Sequence, residues 1–180
     1  MRNLIVAEDI QLIRLDLDHA EEFFRLTDEN RTALREWLPW LDGTTNVEHT
    51  RDFIRSTQIP FPENSGMNLV IMYKGSIAGT IGIHHIDLVN RKTTIGYWLG
   101  EAYQGQGIMT KCCKALIDYI FNELELNRVE IGAAEGNEKS RAIPERLGFV
   151  QEGIVRQEEW LYDHFVDIVI YGMLKEDWSV

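Results

Sequence analysis

The chain has 180 residues, 44% hydrophobic and 26% charged, with a formal charge of -11. That composition is typical of a soluble globular protein, and no apolar run approaches the roughly 18 residues that a membrane-spanning helix needs. The negative charge disfavours nucleic acid and favours an amine or a basic protein segment as partner.

One domain over residues 1–180 is expected, because a chain of this length can remove well over half of its unfolded surface from water. Residues 1–10 include Glu8 and Asp9 and show neither an apolar signal core nor a small-residue cleavage site, so the expected compartment is the cytoplasm. Gln11–Asp16 alternates in polarity and predicts a strand. Asp18 is then placed to cap a helix carrying Ala20, Phe23, Phe24 and Leu26. A second helical stretch, Arg31 to Leu38, stops at Pro39. Trp37 and Trp40 flank that stop, either as a core corner or as the wall of a substrate pocket or interface. Asn46 is placed to cap a helix through Phe53 and Ile54, and the prolines of Ile59–Gly66 mark a loop.

From Met67 the polarity period changes to two. Met67–Tyr73, Ile77–His84 and Thr93–Leu99 predict a three-stranded meander with turns at Lys74–Ser76 and near Asn90. An amphipathic helix begins near Gly107, with Ile108, Cys112, Ala115, Leu116, Tyr119 and Ile120 on one face. The two cysteines, Cys112 and Cys113, point about 100° apart on that helix, so they read as packing residues, not as a metal or disulfide pair. Arg128–Ala134 predicts a strand and Glu138–Arg146 a helix ending at Gly148. Phe149–Val155 and Val166–Leu174 predict a closing antiparallel pair. This order implies an α+β (mixed α/β) fold.

The strand ending at Leu99 runs through Tyr103 into Gln104-Gly105-Gln106-Gly107 and directly into the long helix. A helix start carries unpaired N–H groups and the positive end of the dipole, and glycines let phosphate oxygens approach them. Taken alone, the glycines also fit a plain turn and cap. The loop is not a Walker P-loop, since no Gly-Lys-Ser/Thr follows, and Thr110 stands where a dinucleotide fingerprint needs its third glycine. Downstream, Asn137 suits the N-cap of the Glu138–Arg146 helix, with Ser140 in its first turn.

Together these segments resemble the GCN5-related N-acetyltransferase (GNAT) superfamily. Gln104-Gly105-Gln106-Gly107-Ile108-Met109 is similar to its Gln/Arg-x-x-Gly-x-Gly/Ala motif, with Met109 at the last position. Asn137-x-x-Ser140 followed by Glu145-Arg146-Leu147-Gly148-Phe149 is similar to its second signature. The likeness extends over nearly the whole chain and is strongest to the ribosomal-protein N-terminal acetyltransferase branch, through Ile95–Leu99 and Glu152-Gly153. It implies a mostly antiparallel twisted sheet splayed between its fourth and fifth strands, with helices on both sides. Acetyl-CoA is then the cosubstrate, with no metal. The resemblance implies that Trp98 and Leu99 bind the pantetheine arm by their backbone. Gln104, Gly105, Gln106, Gly107, Ile108, Met109 and Thr110 would hold the pyrophosphate, with Asn137 on the arm's other side. It further implies Glu159 as a base acting through water and Ser140 as the acid for the thiolate.

An α-amine of pKa about 7.7–8.0 is roughly a tenth neutral at pH 7, whereas lysine is neutral about once in 2,500. A modest carboxylate therefore suffices for a protein N-terminus, the expected acceptor. Glu159 also fits a solvated strand end, its neighbour Glu158 facing the opposite way. Tyr97 and Tyr103 are fallback proton donors, and Tyr97 also suits the core. His84 and His85 have no third residue at metal spacing and are placed to line the acceptor pocket. Alternatives are a small-molecule acetyltransferase acting on a polyamine or aminoglycoside, and a non-catalytic acyl-CoA sensor. Members of the branch occur as monomers and dimers, so a homodimer is compatible with the chain. Neither nucleic acid nor membrane is an expected partner.

Overall fold

The structure is a computed structural model, described over residues 3–58 and 66–179. Its strands are β1 (Leu4–Ala7), β2 (Ile10–Arg14), β3 (Met67–Tyr73), β4 (Ser76–Asp87), β5 (Lys92–Leu99), β6 (Arg128–Ala134), β7 (Val150–Leu161) and β8 (His164–Leu174). They form one sheet in the order β1-β2-β3-β4-β5-β6-β8-β7. The helices are α1 (Ala20–Glu29), α2 (Arg31–Arg35), α3 (Val47–Thr57), α4 (Ile108–Asn122) and α5 (Glu138–Arg146). Strand β1, unread in the sequence, pairs with β2 as an antiparallel hairpin.

Alternation along the central strands feeds two cores. Ile81, Ile83 and Ile95 turn to one face and pack with Val129, Ile131 and the α4 stripe of Ile108, Cys112, Leu116 and Ile120. On the other face Val70 and Ile77 meet Phe23, Leu26 and Ile54 of α1 and α3. Each such aliphatic side chain contributes about 1.5–3 kcal/mol on burial, so the sheet is fixed from both sides. Cys112 and Cys113 are fully buried in the first core, and burial pushes the Cys112 thiol up to about 12.

Several expected boundaries move. Asp16, not Asp18, caps the helical entry: its side chain accepts from the Leu17 N–H while the His19 ring accepts from the Asp16 N–H, a reciprocal capping box ahead of α1. Helix α2 ends at Arg35 instead of running to Leu38, and the Trp37 and Leu38 N–H groups close onto the Leu34 carbonyl at 3.1 and 2.9 Å. Asn46 does cap α3, accepting from Glu48 and His49 N–H groups. The loop expected at Ile59–Gly66 lies, up to Ser65, outside the described residues. Strands β7 and β8 are longer than predicted. The register shifts between Val155↔Ile168 and Glu159↔Val166, and Gln157 sits at φ 53° with its N–H on Asp167 Oδ1 at 2.8 Å. Simple alternation therefore fails around Glu158.

Among the described residues the only parallel pair is β5 with β6, and it is short: Lys92↔Arg128, Thr93↔Val129 and Thr94↔Glu130. Beyond it β5 stays paired with β4 as far as Leu99, and β6 stays paired with β8 as far as Ala134. The facing edges of Ile95–Leu99 and Ile131–Ala134 separate. These are the two strands expected to splay; counting β1, they are the fifth and sixth in chain order. Among the described residues no helix is long and apolar enough to cross a membrane.

Candidate active site

Two consecutive devices build the opening. The first is the loop from β5 into α4. Gly105 and Gly107 lie at φ 73° and 72°, left-handed backbone that an L side chain adopts only at a cost, and nothing lies within 4 Å of where a Cβ would stand at either. Conformation, not crowding, selects glycine there. Gln104 and Gln106 turn their side chains back into the loop: Gln104 Nε2 donates to the Leu99 carbonyl at 3.2 Å, and Gln106 Nε2 to the Ala102 carbonyl at 2.9 Å. The consequence lies in the backbone. Among the described residues, the N–H groups of Gly105, Gln106, Gly107, Ile108, Met109 and Thr110 have no hydrogen-bond acceptor, and Gly107 offers α4 no side-chain cap. Six successive donors at a helix start, with alternating left-handed glycines, form a concave nest for an anion. Ile108 and Met109 bury their side chains in the core beneath it.

The second device is the start of α5. Asn137 caps it, its Oδ1 accepting from Ser140 N–H at 3.1 Å. That commits the oxygen and leaves the amide N–H groups of Asn137 as donors. Three bonds join the two devices. Lys139 Nζ donates to Gln104 Oε1 at 3.2 Å, Arg146 donates to Thr110 Oγ1 at 2.9 Å, and Tyr97 Oη donates to the Ser140 carbonyl at 3.0 Å. The last crosses the splay from β5 to α5. Tyr97 is thus a strut: burial pushes its hydroxyl pKa up, and its proton is committed to a carbonyl. That argues against the fallback role of proton donor.

Register relates the remaining residues. Carrying Thr94↔Glu130 four residues onward puts Trp98 level with Ala134. Ile168 of β8 faces both Ala134 of β6 and Val155 of β7, and Glu159 faces Val166, two residues further on. Glu159 therefore stands past the C-terminal end of β6, from which Asn137 and Ser140 also follow. Trp98, Leu99, the glycine loop, Asn137 and Ser140 thus lie toward this end of the splay, and Glu159 lies toward the same end of the sheet on the edge strand β7, with β8 between it and β6. Ser140 and Glu159 are half-buried, and Glu158 is exposed. Burial, and then the charge of Glu158, holds the Glu159 carboxyl above the usual carboxylate value. Ser140 and Glu159 make no direct hydrogen bond to each other.

The Trp37 corner covers the same end. The Trp37 ring approaches Gly136, 3.6 Å from where a Cβ would stand, and Tyr162 Oη donates to the Leu38 carbonyl at 2.5 Å. The Arg35 guanidinium lies 3.8 Å above the Tyr162 ring. These contacts pin the α2 segment across the β7–β8 hairpin, on the pocket side. Trp40 is partly exposed. Sequence reasoning missed the three cross-links because their partners lie 35, 36 and 43 residues apart, beyond any local pattern. Among the described residues no group of three His, Cys, Asp or Glu side chains is placed to share a metal ion.

The family profile of the acetyltransferase (GNAT) domain matches residues 9–150. The chain is 40% identical over 179 residues to the putative ribosomal N-acetyltransferase YdaF of Bacillus subtilis (strain 168), covering 97% of this chain and 96% of that one. Among solved structures, the microcin C7 self-immunity acetyltransferase MccE in complex with acetyl-CoA and AMP is 31% identical with a TM-score of 0.89, covering 94% of each chain. RimL, a ribosomal L7/L12 α-N-protein acetyltransferase in complex with coenzyme A, is 26% identical with a TM-score of 0.93, covering 98% of this chain and 99% of that one. The splayed sheet, the glycine loop and these likenesses agree: the chain belongs to the GNAT acetyltransferase family and is an N-acetyltransferase.

Proposed function

We propose that the chain transfers an acetyl group from acetyl-CoA to the α-amine of a protein N-terminus, on a ribosomal protein, and that residues 1–180 act as one catalytic domain. The run of six unpaired N–H groups from Gly105 to Thr110 carries this reading. It lies directly beyond the unpaired edge of β5, so one ligand with a pyrophosphate and an amide-bearing arm satisfies both. Unpaired strand edges carry a free-energy cost that an extended ligand removes. Trp98 and Leu99 would hold the arm by their backbone, and the Asn137 amide would donate to it from α5. The acceptor class draws on the resemblance to YdaF and RimL, which are described as ribosomal-protein acetyltransferases.

In the reaction the acceptor nitrogen forms a bond to the acetyl carbon as the carbon–sulfur bond breaks. The α-ammonium must first lose a proton. Glu159, its carboxyl held above the usual value by burial, takes it through water, and the raised pKa brings the base nearer to the amine it serves. As the carbon–nitrogen bond forms, the nitrogen gives its second proton to water; the thiolate leaving group collects a proton from the Ser140 hydroxyl, which regains one from solvent. Acetyl-CoA supplies the activated thioester; the protein supplies position, exclusion of water and the two proton routes. The test is thiol release across N-terminal peptides, polyamines and aminoglycosides with wild type and Glu159→Gln. Turnover should be highest on peptides and fall at least tenfold in the variant. Unchanged turnover in Glu159→Gln would remove that residue from the mechanism.

A further inference from the structure

On the sheet face opposite α4, the positions beside the root of the splay are unlike those around them. Ile81, Ile83 and Ile95 point into the α4 core, so Gly82, His84, Thr94, Gly96 and Trp98 share the other face. Gly82 and Gly96 are directly opposed. Interior glycines weaken strands, and they persist where something must approach the backbone closely. Here that something is the His84 imidazole. A Cβ on Gly96 would lie 2.9 Å from His84 Nε2, and one on Gly82 would lie 3.3 Å from His84 Cε1 and 2.9 Å from Asn68 Oδ1. Neither glycine is in left-handed backbone, so space, not conformation, selects them.

The ring sits close over this two-glycine floor, yet nothing among the described residues bonds its nitrogens. Among the described residues neither His84 ring nitrogen nor the Asn68 side chain forms a hydrogen bond, and no buried side-chain nitrogen or oxygen lacks a partner. Both groups are therefore open to solvent, not sealed in. Burial, and then neighbouring His85, holds the imidazole below the usual histidine value, so at neutral pH it carries a lone pair and no repelling charge. Trp98, tilted against Phe23 with ring centroids 5.5 Å apart, closes the floor at the other end. Gly96 lies within the stretch of β5 that has lost its β6 partner, so the floor adjoins the gap assigned to the pantetheine arm.

We propose that His84 and Asn68 are the acceptor-binding residues: they receive the amine-bearing first residue of the acceptor on the Gly82–Gly96 floor, across β5 from the acetyl donor. This rests on the acetyl-transfer reading above and adds the seat of its second substrate. His84 binds here; proton removal stays with Glu159. A chain-terminal ammonium and its first amide offer donors to the imidazole and to the Asn68 oxygen, which the two glycines let settle close against the strands.

The test is calorimetric binding of a serine-initiated tripeptide amide, and separately of spermidine, to the protein saturated with coenzyme A. Wild type, His84→Ala, His84→Gln and Gly82→Ala are compared, with coenzyme A affinity measured for each. His84→Ala should weaken tripeptide binding at least tenfold and leave coenzyme A affinity within twofold. His84→Gln, which keeps an acceptor atom, should recover part of the loss, and Gly82→Ala should weaken the tripeptide by displacing the Asn68 oxygen, 2.9 Å from the added Cβ, and crowding the imidazole. Unchanged tripeptide affinity in His84→Ala, or a parallel loss of coenzyme A, overturns the proposal. If wild type binds spermidine and not the tripeptide, the N-terminal acceptor reading fails by itself, and the same comparison made on spermidine decides the role of His84.

Discussion

Gly107→Asp, set beside Gly107→Asn, isolates what the glycine loop does. Gly107 sits at φ 72° with nothing within 4 Å of a built Cβ, so either side chain fits and meets only the cost of left-handed backbone. That cost is about 1–2 kcal/mol for an ordinary L residue and less for Asn or Asp. Against a typical stability of about 5–15 kcal/mol, both variants should fold, with melting temperatures lowered by a few degrees. The two differ only in charge. At about 5 Å from a phosphate and an effective dielectric of about 20, one pair of negative charges repels by about 3 kcal/mol, or about two decades in affinity. Calorimetry with acetyl-CoA should therefore show Gly107→Asn within about tenfold of wild type and Gly107→Asp weaker than Gly107→Asn by about 100-fold. The gap should narrow in high salt. Equal affinity for the two variants would refute the pyrophosphate assignment, since no anion would then face that position.

Three further outcomes follow from the geometry. The Glu159 carboxyl, raised by burial, destabilises the fold when ionised: its contribution is favourable at acid pH and is lost as pH rises through the raised value. Glu159→Gln should thus melt higher than wild type at pH 8 and not at pH 4. A lower melting point at pH 8 contradicts this. Tyr97→Phe removes the strut to the Ser140 carbonyl and leaves that acceptor short of a partner, at about 1–3 kcal/mol; calorimetry should show a lower melting temperature and several-fold weaker acetyl-CoA binding, and no change in either contradicts the strut. Glu152, held by Arg128 below the usual carboxylate value, contributes stability that is present above that range and lost as pH falls through its lowered pKa. Urea unfolding of Glu152→Gln should show a loss of about 1 kcal/mol at pH 7 that shrinks toward pH 3; equal loss at both pH values contradicts the ion pair as its cause.

The elements most legible in the sequence were those with one dominant local signal. Alternating apolar residues located β3, β5 and β6 to within a residue of their observed ends, and the 3.6-residue stripe with its glycine start located α4. Asn137 was legible as a cap because capping is a short-range bond, and the same bond shows why its oxygen is spent on Ser140. What escaped was non-local or carried a conflicting local signal. Leu4–Ala7 is short and becomes a strand only because β2 pairs with it. The β7 bulge near Gln157 depends on a bond from its backbone to Asp167, which no alternation pattern contains. The side chains of the loop glutamines brace the loop and leave the backbone to face the opening, bonds that the glycine motif does not spell out. Gly82 and His84 share a face by alternation along β4, but Gly96 joins them only through pairing of β4 with β5, so the complete floor has no signature along the chain.

The most direct measurement of the central claim is the site of the label. A peptide with a free N-terminal serine and one internal lysine is incubated with acetyl-CoA and the protein, and tandem mass spectrometry locates the acetyl group. Acetyl on the α-nitrogen alone, with none on the same peptide when its N-terminus is blocked, is the predicted result. Acetyl on the lysine, or no product while acetyl-CoA remains bound, would contradict it.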